Sequence, residues 1–208
     1  MREGSPTVSR ARVASRVTLV LAGVHGDEPK GVYVALRLLD LLRNEPELAR
    51  DRAWVIVPRV NPDGLARRRR RNANLVDINR NFPTANWMLG DRRSRMFGGE
   101  KPASEPETRT VIRCIERFRP TGIVTIHSID GGRECNNYDG PAVAWAKAMS
   151  KRNGYPAVAS IGYPTPGSFG AWAGVERRIP TITLELPSRA SRERCWRDNR
   201  EALLSSAS

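Results

Sequence analysis

The chain has 208 residues, 35 of them Lys or Arg against 22 Asp or Glu, a formal charge of +13, and 39% are hydrophobic. That length suits one domain over residues 1–208, and the apolar share, gathered in Val, Ile and Leu blocks, is too high for a disordered chain. No stretch approaches the ~18 apolar residues that span a bilayer. Residues 1–16 carry four arginines without the apolar core of a signal peptide, so a soluble cytoplasmic protein with a flexible start is expected. Cys114, Cys135 and Cys195 are widely spaced and form no CxxC, which argues against a disulfide framework and against a thiolate zinc knot.

In chain order, residues 17–24 (VTLVLAGV) form a continuous apolar run that predicts a buried strand. Residues 31–43 then place Val32, Ala35, Leu36, Leu39 and Leu42 at helical spacing, with Pro29 in the first turn. Residues 53–60 (AWVIVPRV) predict a second strand. The long segment 61–101, rich in Asn, Arg, Pro and Gly, predicts a packed functional loop. A helix over 105–118 is opened by Ser104, Pro106 and Glu107, and a third strand over 122–126 leads to His127. Residues 141–151 read as a helix, 181–186 (TITLEL) as a β-branched strand stopped by Pro187, and 192–204 as a closing helix. The alternation predicts an α/β fold, a mixed, mostly parallel sheet with helices on both faces.

The chain's two histidines, His25 and His127, both sit just past predicted strand ends, where open α/β sheets form their ligand crevice. Glu28 follows His25 by three residues. Two His and one Glu are a known catalytic zinc set that leaves a fourth position open. Each fragment also has a purely structural explanation: Asp27 as a helix cap, and His127 as a buried histidine donating to a carbonyl. Their joint placement favours the metal. Glu185 lies in an otherwise apolar strand, where a carboxylate is costly unless it faces a site, which suits a general base; on an edge strand it would simply meet water. In the long loop, NPDG (61–64) is a turn signal, and Asn79, Arg80 and Asn81 stand beside apolar residues. An arginine fork there suits either a substrate carboxylate or an oxyanion. The unbroken run Arg67, Arg68, Arg69, Arg70, Arg71 raises nucleic acid as a partner, but no recognition module accompanies it, and a solvated basic surface explains it better.

HGDE (25–28), NPDG (61–64), RRNANLVDINRNFP (70–83), His127 and the Glu185 of TLELP together resemble the M14 zinc carboxypeptidase family. NRNFPTANW (79–87), GEKPASEPET (99–108) and GYPTPGSFGAW (162–172) narrow the likeness to its murein peptide amidase branch. The resemblance implies one zinc ion per chain held by His25, Glu28 and His127, with Glu185 as base and later proton donor. It implies an oxyanion role for Arg70, binding of the substrate's free carboxylate by Asn79 and Arg80, and a mobile tyrosine at Tyr163. The implied reaction is hydrolysis of the γ-D-glutamyl to meso-diaminopimelate amide of a cell-wall tripeptide during recycling. An N-acyl amino acid deacylase of the same fold and a basic nucleic-acid-binding protein are the alternatives. Where the family carries Gly after NAN this chain has Leu75, so any positive-φ turn there must be reached differently.

Overall fold

Continuous apolar runs buried on both faces make parallel strands, and this chain builds its sheet from them. In the computed structural model, which describes residues 16–49, 52–130 and 132–205, the strands are β1 (Val17–Ala22), β2 (Ala53–Val57), β3 (Gly122–Ile129), β4 (Cys135–Asp139), β5 (Ala157–Val158) and β6 (Thr181–Pro187). The expected flexible start falls largely outside those residues. The strands lie in the order β2-β1-β3-β6-β4-β5, with every pairing parallel except the antiparallel β4–β6. Side chains alternate along β1: Val20 and Ala22 enter one core, Leu19 and Leu21 the other. The first core packs against α1 (Pro29–Asn44), α4 (Val143–Asn153) and α5 (Arg192–Leu204). The second packs against α3 (Pro106–Phe118) and a π-helical segment, Gly170–Glu176, with Phe82 and Phe169 between them. Helices therefore cover both faces, as expected. No helix among the described residues is long and apolar enough to cross a membrane.

Several boundaries differ from the sequence expectation, each for a local reason. The third strand does not stop at Ile126; it runs on through His127 to Ile129 because β6 continues beside it, and His127 lies opposite Glu185 in the ladder. The first strand ends at Ala22, where Gly23 turns with φ +64. The second ends at Val57 before Pro58, although the chain still follows β1 through Val60 N–H to Ala22 O and Asn61 N–H to Gly23 O. NPDG is more than a turn: it opens α2 (Pro62–Arg67), with the Asn61 Oδ1 accepting from Gly64 N–H at 2.8 Å. β4 and β5 are absent from the expectation because ECNNYD and PAV show no apolar period. The helix expected over 141–151 starts two residues later and closes at Gly154, whose φ is +74.

Two backbone positions set the site. A Cβ on Gly26 would lie 1.9 Å from the carbonyl carbon of Gly64, so the turn after β1 and the start of α2 interlock main chain to main chain. Leu75 itself adopts φ +61, so the positive-φ turn is kept with leucine in it, while the Asn72 Oδ1 accepts from Val76 N–H at 3.0 Å. Left-handed backbone costs a leucine about 1–2 kcal/mol, and at 43% exposure its side chain recovers little by burial. Leu75→Gly should therefore raise stability by about 0.5–1 kcal/mol after the extra freedom of glycine in the unfolded chain, read as a Tm increase of about 1–4 °C. A lowered Tm would show that the leucine side chain packs more strongly than its exposure indicates.

Candidate metal centre

His25 follows β1 by three residues, Glu28 precedes α1, and His127 points from β3. These three buried groups converge. The His25 Nδ1 lies 2.8 Å from the Glu28 Oε1, the His127 Nδ1 lies 2.9 Å from the Glu28 Oε2, and the two Nδ1 atoms are 3.1 Å apart. On its outer side the His25 Nε2 meets the Asp77 Oδ1 at 3.1 Å, which places that proton on Nε2 and turns the Nδ1 lone pair inward. Two imidazole nitrogens facing each other need a shared proton or a cation between them. In a tetrahedral zinc site with bonds of about 2.0 Å, ligand atoms sit about 3.3 Å apart, so this donor set fits a zinc ion with little rearrangement. Burial disfavours a charged His25, but Glu28 and Asp77 outweigh it and push its pKa up to about 9. Burial also disfavours the Glu28 and Asp77 carboxylates; against it, His25 and His127 hold Glu28, and His25 and Arg70 hold Asp77, well below the usual carboxylate range.

The other predicted residues line the same cavity, so all eight meet there: His25, Glu28, Arg70, Asn79, Arg80, His127, Tyr163 and Glu185. Arg70 donates from Nε to the Asp77 Oδ2 at 2.9 Å and lies 3.7 Å from the Glu28 Oε1. Asp77 opens the short 3-10 turn Ile78–Arg80 by accepting from Asn79 N–H at 3.0 Å. The Asn79 Oδ1 accepts from Phe169 N–H at 2.8 Å, which leaves its amide NH2 without a protein acceptor among the described residues. Arg80 is only 4% exposed; its Nη1 donates to Asn79 O at 2.6 Å, and its Nε is buried with no partner. Burial lowers its pKa, and an under-paired guanidinium on a cavity wall is short of an anion. Glu185 is 7% exposed and its carboxylate has no hydrogen bond among the described residues; burial raises its pKa and His127 pulls it back. Tyr163, 42% exposed, stands at the rim. The structural explanations weighed for HGDE and His127 do not hold. Asp27 caps nothing and pairs with Arg95 at 3.2 Å, while His127 meets Glu28 rather than a carbonyl.

Two residues escape sequence reasoning. Asp77 sits within the apolar stretch LVDI, and only its polarity there signals a role. Asp139 ends β4 and lines the cavity, its carboxylate without hydrogen bond or ion pair among the described residues. Burial pushes its pKa up to about 6. A Cβ on Gly170 would fall 2.2 Å from its Oδ2, so the glycine makes room for this carboxylate. With β4 illegible in the sequence, nothing marks Asp139 beforehand.

Known proteins resemble this chain in sequence and in fold. The family model described as zinc carboxypeptidase, peptidase family M14, matches residues 5–139. Murein peptide amidase A of Escherichia coli K12 is 38% identical over 198 residues, covering 88% of this chain and 76% of that protein. The crystal structure of a murein-tripeptide amidase from Escherichia coli O157 superposes with a TM-score of 0.71 at 31% identity, over 92% of this chain and 82% of that one. Carboxypeptidase A of Helicoverpa armigera shares the fold, with a TM-score of 0.75 at 21% identity over 93% of this chain and 60% of that one. A family model spanning more than half of the chain, together with a relative of this identity, establishes that the protein belongs to the M14 zinc carboxypeptidase family of hydrolases.

Proposed function

We propose that the protein is a zinc-dependent amidase that cuts the γ-D-glutamyl to meso-diaminopimelate bond of a murein tripeptide. The observation that carries this reading is the convergence of three ligand atoms beside an unpaired buried Glu185, in a cavity that also holds Arg80 and Asp139. The names of the related murein peptide amidases support the substrate class. His25, Glu28 and His127 would hold the zinc, which when bound polarises the scissile carbonyl and acidifies the attacking water. Glu185 takes the water's proton and later delivers it to the leaving amine, a task suited to a carboxylate made more basic by burial. Arg70, fixed by Asp77, faces the developing oxyanion. Arg80 and the free Asn79 amide hold the leaving residue's carboxylate, and Tyr163 is placed at the rim to cover it. Asp139 is the counter-charge for an ammonium on that residue, and the distal end of meso-diaminopimelate carries one. The same reading places the reaction in the cytoplasm, in keeping with three free cysteines.

The decisive experiment gives the zinc-loaded protein L-alanyl-γ-D-glutamyl-meso-diaminopimelate and, separately, acetylated and succinylated amino acids. Diaminopimelate is released and the acylated amino acids survive; the reverse pattern with zinc bound would assign a deacylase. Glu185→Gln keeps its zinc and loses about 10²- to 10⁴-fold in kcat. Asp139→Asn lowers kcat/KM for the tripeptide about tenfold or more, but not for the analogue ending in 2-aminopimelate, which lacks the distal ammonium. Equal losses on both peptides would remove Asp139 from recognition. Zinc uptake displaces the proton that His25 carries below a pKa of about 9, so zinc affinity rises about tenfold per pH unit between pH 6 and 8. Chelator competition reads this slope, and a flat profile would mean that His25 is already neutral.

A further inference from the structure

The unbroken arginine run divides at Arg70. That residue turns inward to Asp77, whereas Arg69 and Arg71 face a separate hollow of about 420 Å³ on its far side, shared with Arg93, Arg95 and Leu75. The Arg71 Nη1 donates to the carbonyls of Arg92 and Ser94 at 3.1 and 3.2 Å, which ties the run to the turn that carries Arg93 and Arg95. That turn is itself fixed by Asp91, which accepts from Arg93 N–H at 2.8 Å. Four arginines besides the inward-turned Arg70 therefore face a single carboxylate, Asp27, and Arg95 already engages it. Among the described residues neither Arg69 nor Arg93 has an ion pair. Such a cluster repels itself and concentrates a positive potential that an anion relieves.

The hollow adjoins the reaction site across Arg70. Arg70 and Arg95 also line a depression at the cavity mouth together with Glu28, Ser128 and Tyr163. The cavity itself is lined by Arg80 and Asp139, which the amidase reading assigns to the leaving residue. A substrate with its leaving residue there and its scissile carbonyl at the metal cluster must run its acyl part outward past Arg70. In a γ-linked glutamate three carbons separate that carbonyl from a free α-carboxylate on the acyl side.

We propose that this arginine hollow is a second anion-binding subsite that takes the α-carboxylate of the γ-linked acyl residue, so that the enzyme selects an acidic acyl group as well as its leaving residue. The inference rests on the amidase reading above. It is tested with two tripeptides that differ at one group: the free α-carboxylate of γ-D-glutamate, and the α-carboxamide of γ-D-isoglutamine. The zinc-loaded wild-type protein prefers the carboxylate by about tenfold in kcat/KM, and the preference shrinks between 20 and 300 mM NaCl. Arg93→Gln/Arg95→Gln, and separately Arg69→Gln/Arg71→Gln, lose about tenfold on the carboxylate peptide and change less than twofold on the carboxamide peptide. Equal rates on the two peptides in the wild type, or equal losses on both in the variants, overturn the subsite while leaving the amidase reading intact. Cleavage of neither peptide by the zinc-bound wild type overturns both. Tight RNA binding that the variants abolish, with peptide discrimination unchanged, would assign the hollow to nucleic acid and overturn it too.

Discussion

One buried carboxylate, Asp77, holds the centre of this protein together. Its Oδ1 meets the His25 Nε2 and the Asn79 N–H, and its Oδ2 accepts from the Arg70 Nε. A metal-ligand candidate, an oxyanion-stabilising candidate and the turn bearing the proposed carboxylate-binding pair are thus oriented by a single side chain with no solvent exposure. A fully buried carboxylate is tolerable only when its lone pairs are occupied, and here three donors occupy them. The arrangement also links the roles: a shift of Asp77 moves the proton on His25, the fork of Arg70 and the start of the 3-10 turn together.

The sheet supplies the second constraint. His127 and Glu185 are partners in the parallel β3–β6 ladder, so their side chains leave the same face at neighbouring positions. A slip of one residue would send one of them to the opposite face and separate the proposed base from the candidate metal ligand. The antiparallel β4 extends the same wall: Cys135 pairs with Glu185, and four residues later Asp139 reaches the cavity. The site is therefore built largely on strands and on turns pinned to strands, which hold their geometry better than free loops.

The parts of this architecture that are legible in the sequence are those with strong local signals. β1, β3 and β6 are apolar blocks, and helices α1, α3 and α5 carry periodicity or start signals. All eight predicted site residues converge because strand ends and family motifs fix them independently. What is not legible follows from weak or shared signals. β4 is a polar strand whose order comes from pairing with β6 rather than from its own pattern, and Asp139 is hidden with it. NPDG serves turns and helix starts alike, because Asn caps both. Leu75 shows that a residue type can be overruled: the hydrogen bonds of the Asn72 side chain to Asn74 and Val76 over-determine a turn that leucine alone disfavours.

The distribution of charge joins these features. The chain carries +13 overall, yet its cavity gathers Glu28, Asp139 and Glu185, with Asp77 immediately behind. A protonated His25 and the paired Arg70 offset part of that negative charge, which is why Glu28 and Asp77 remain ionised despite burial. Glu185, which His127 offsets only in part, and Asp139, which has no such partner, are the two cavity carboxylates whose acidity falls. The compensated pair thus belongs to the permanent framework. The uncompensated pair is the one to which the proposed reaction gives work: Glu185 to take a proton from water, and Asp139 to meet a cation on the ligand. In the proposed reading an outer arginine surface draws an anionic peptide inward, and the inner carboxylates then distinguish it by the positive charges it carries.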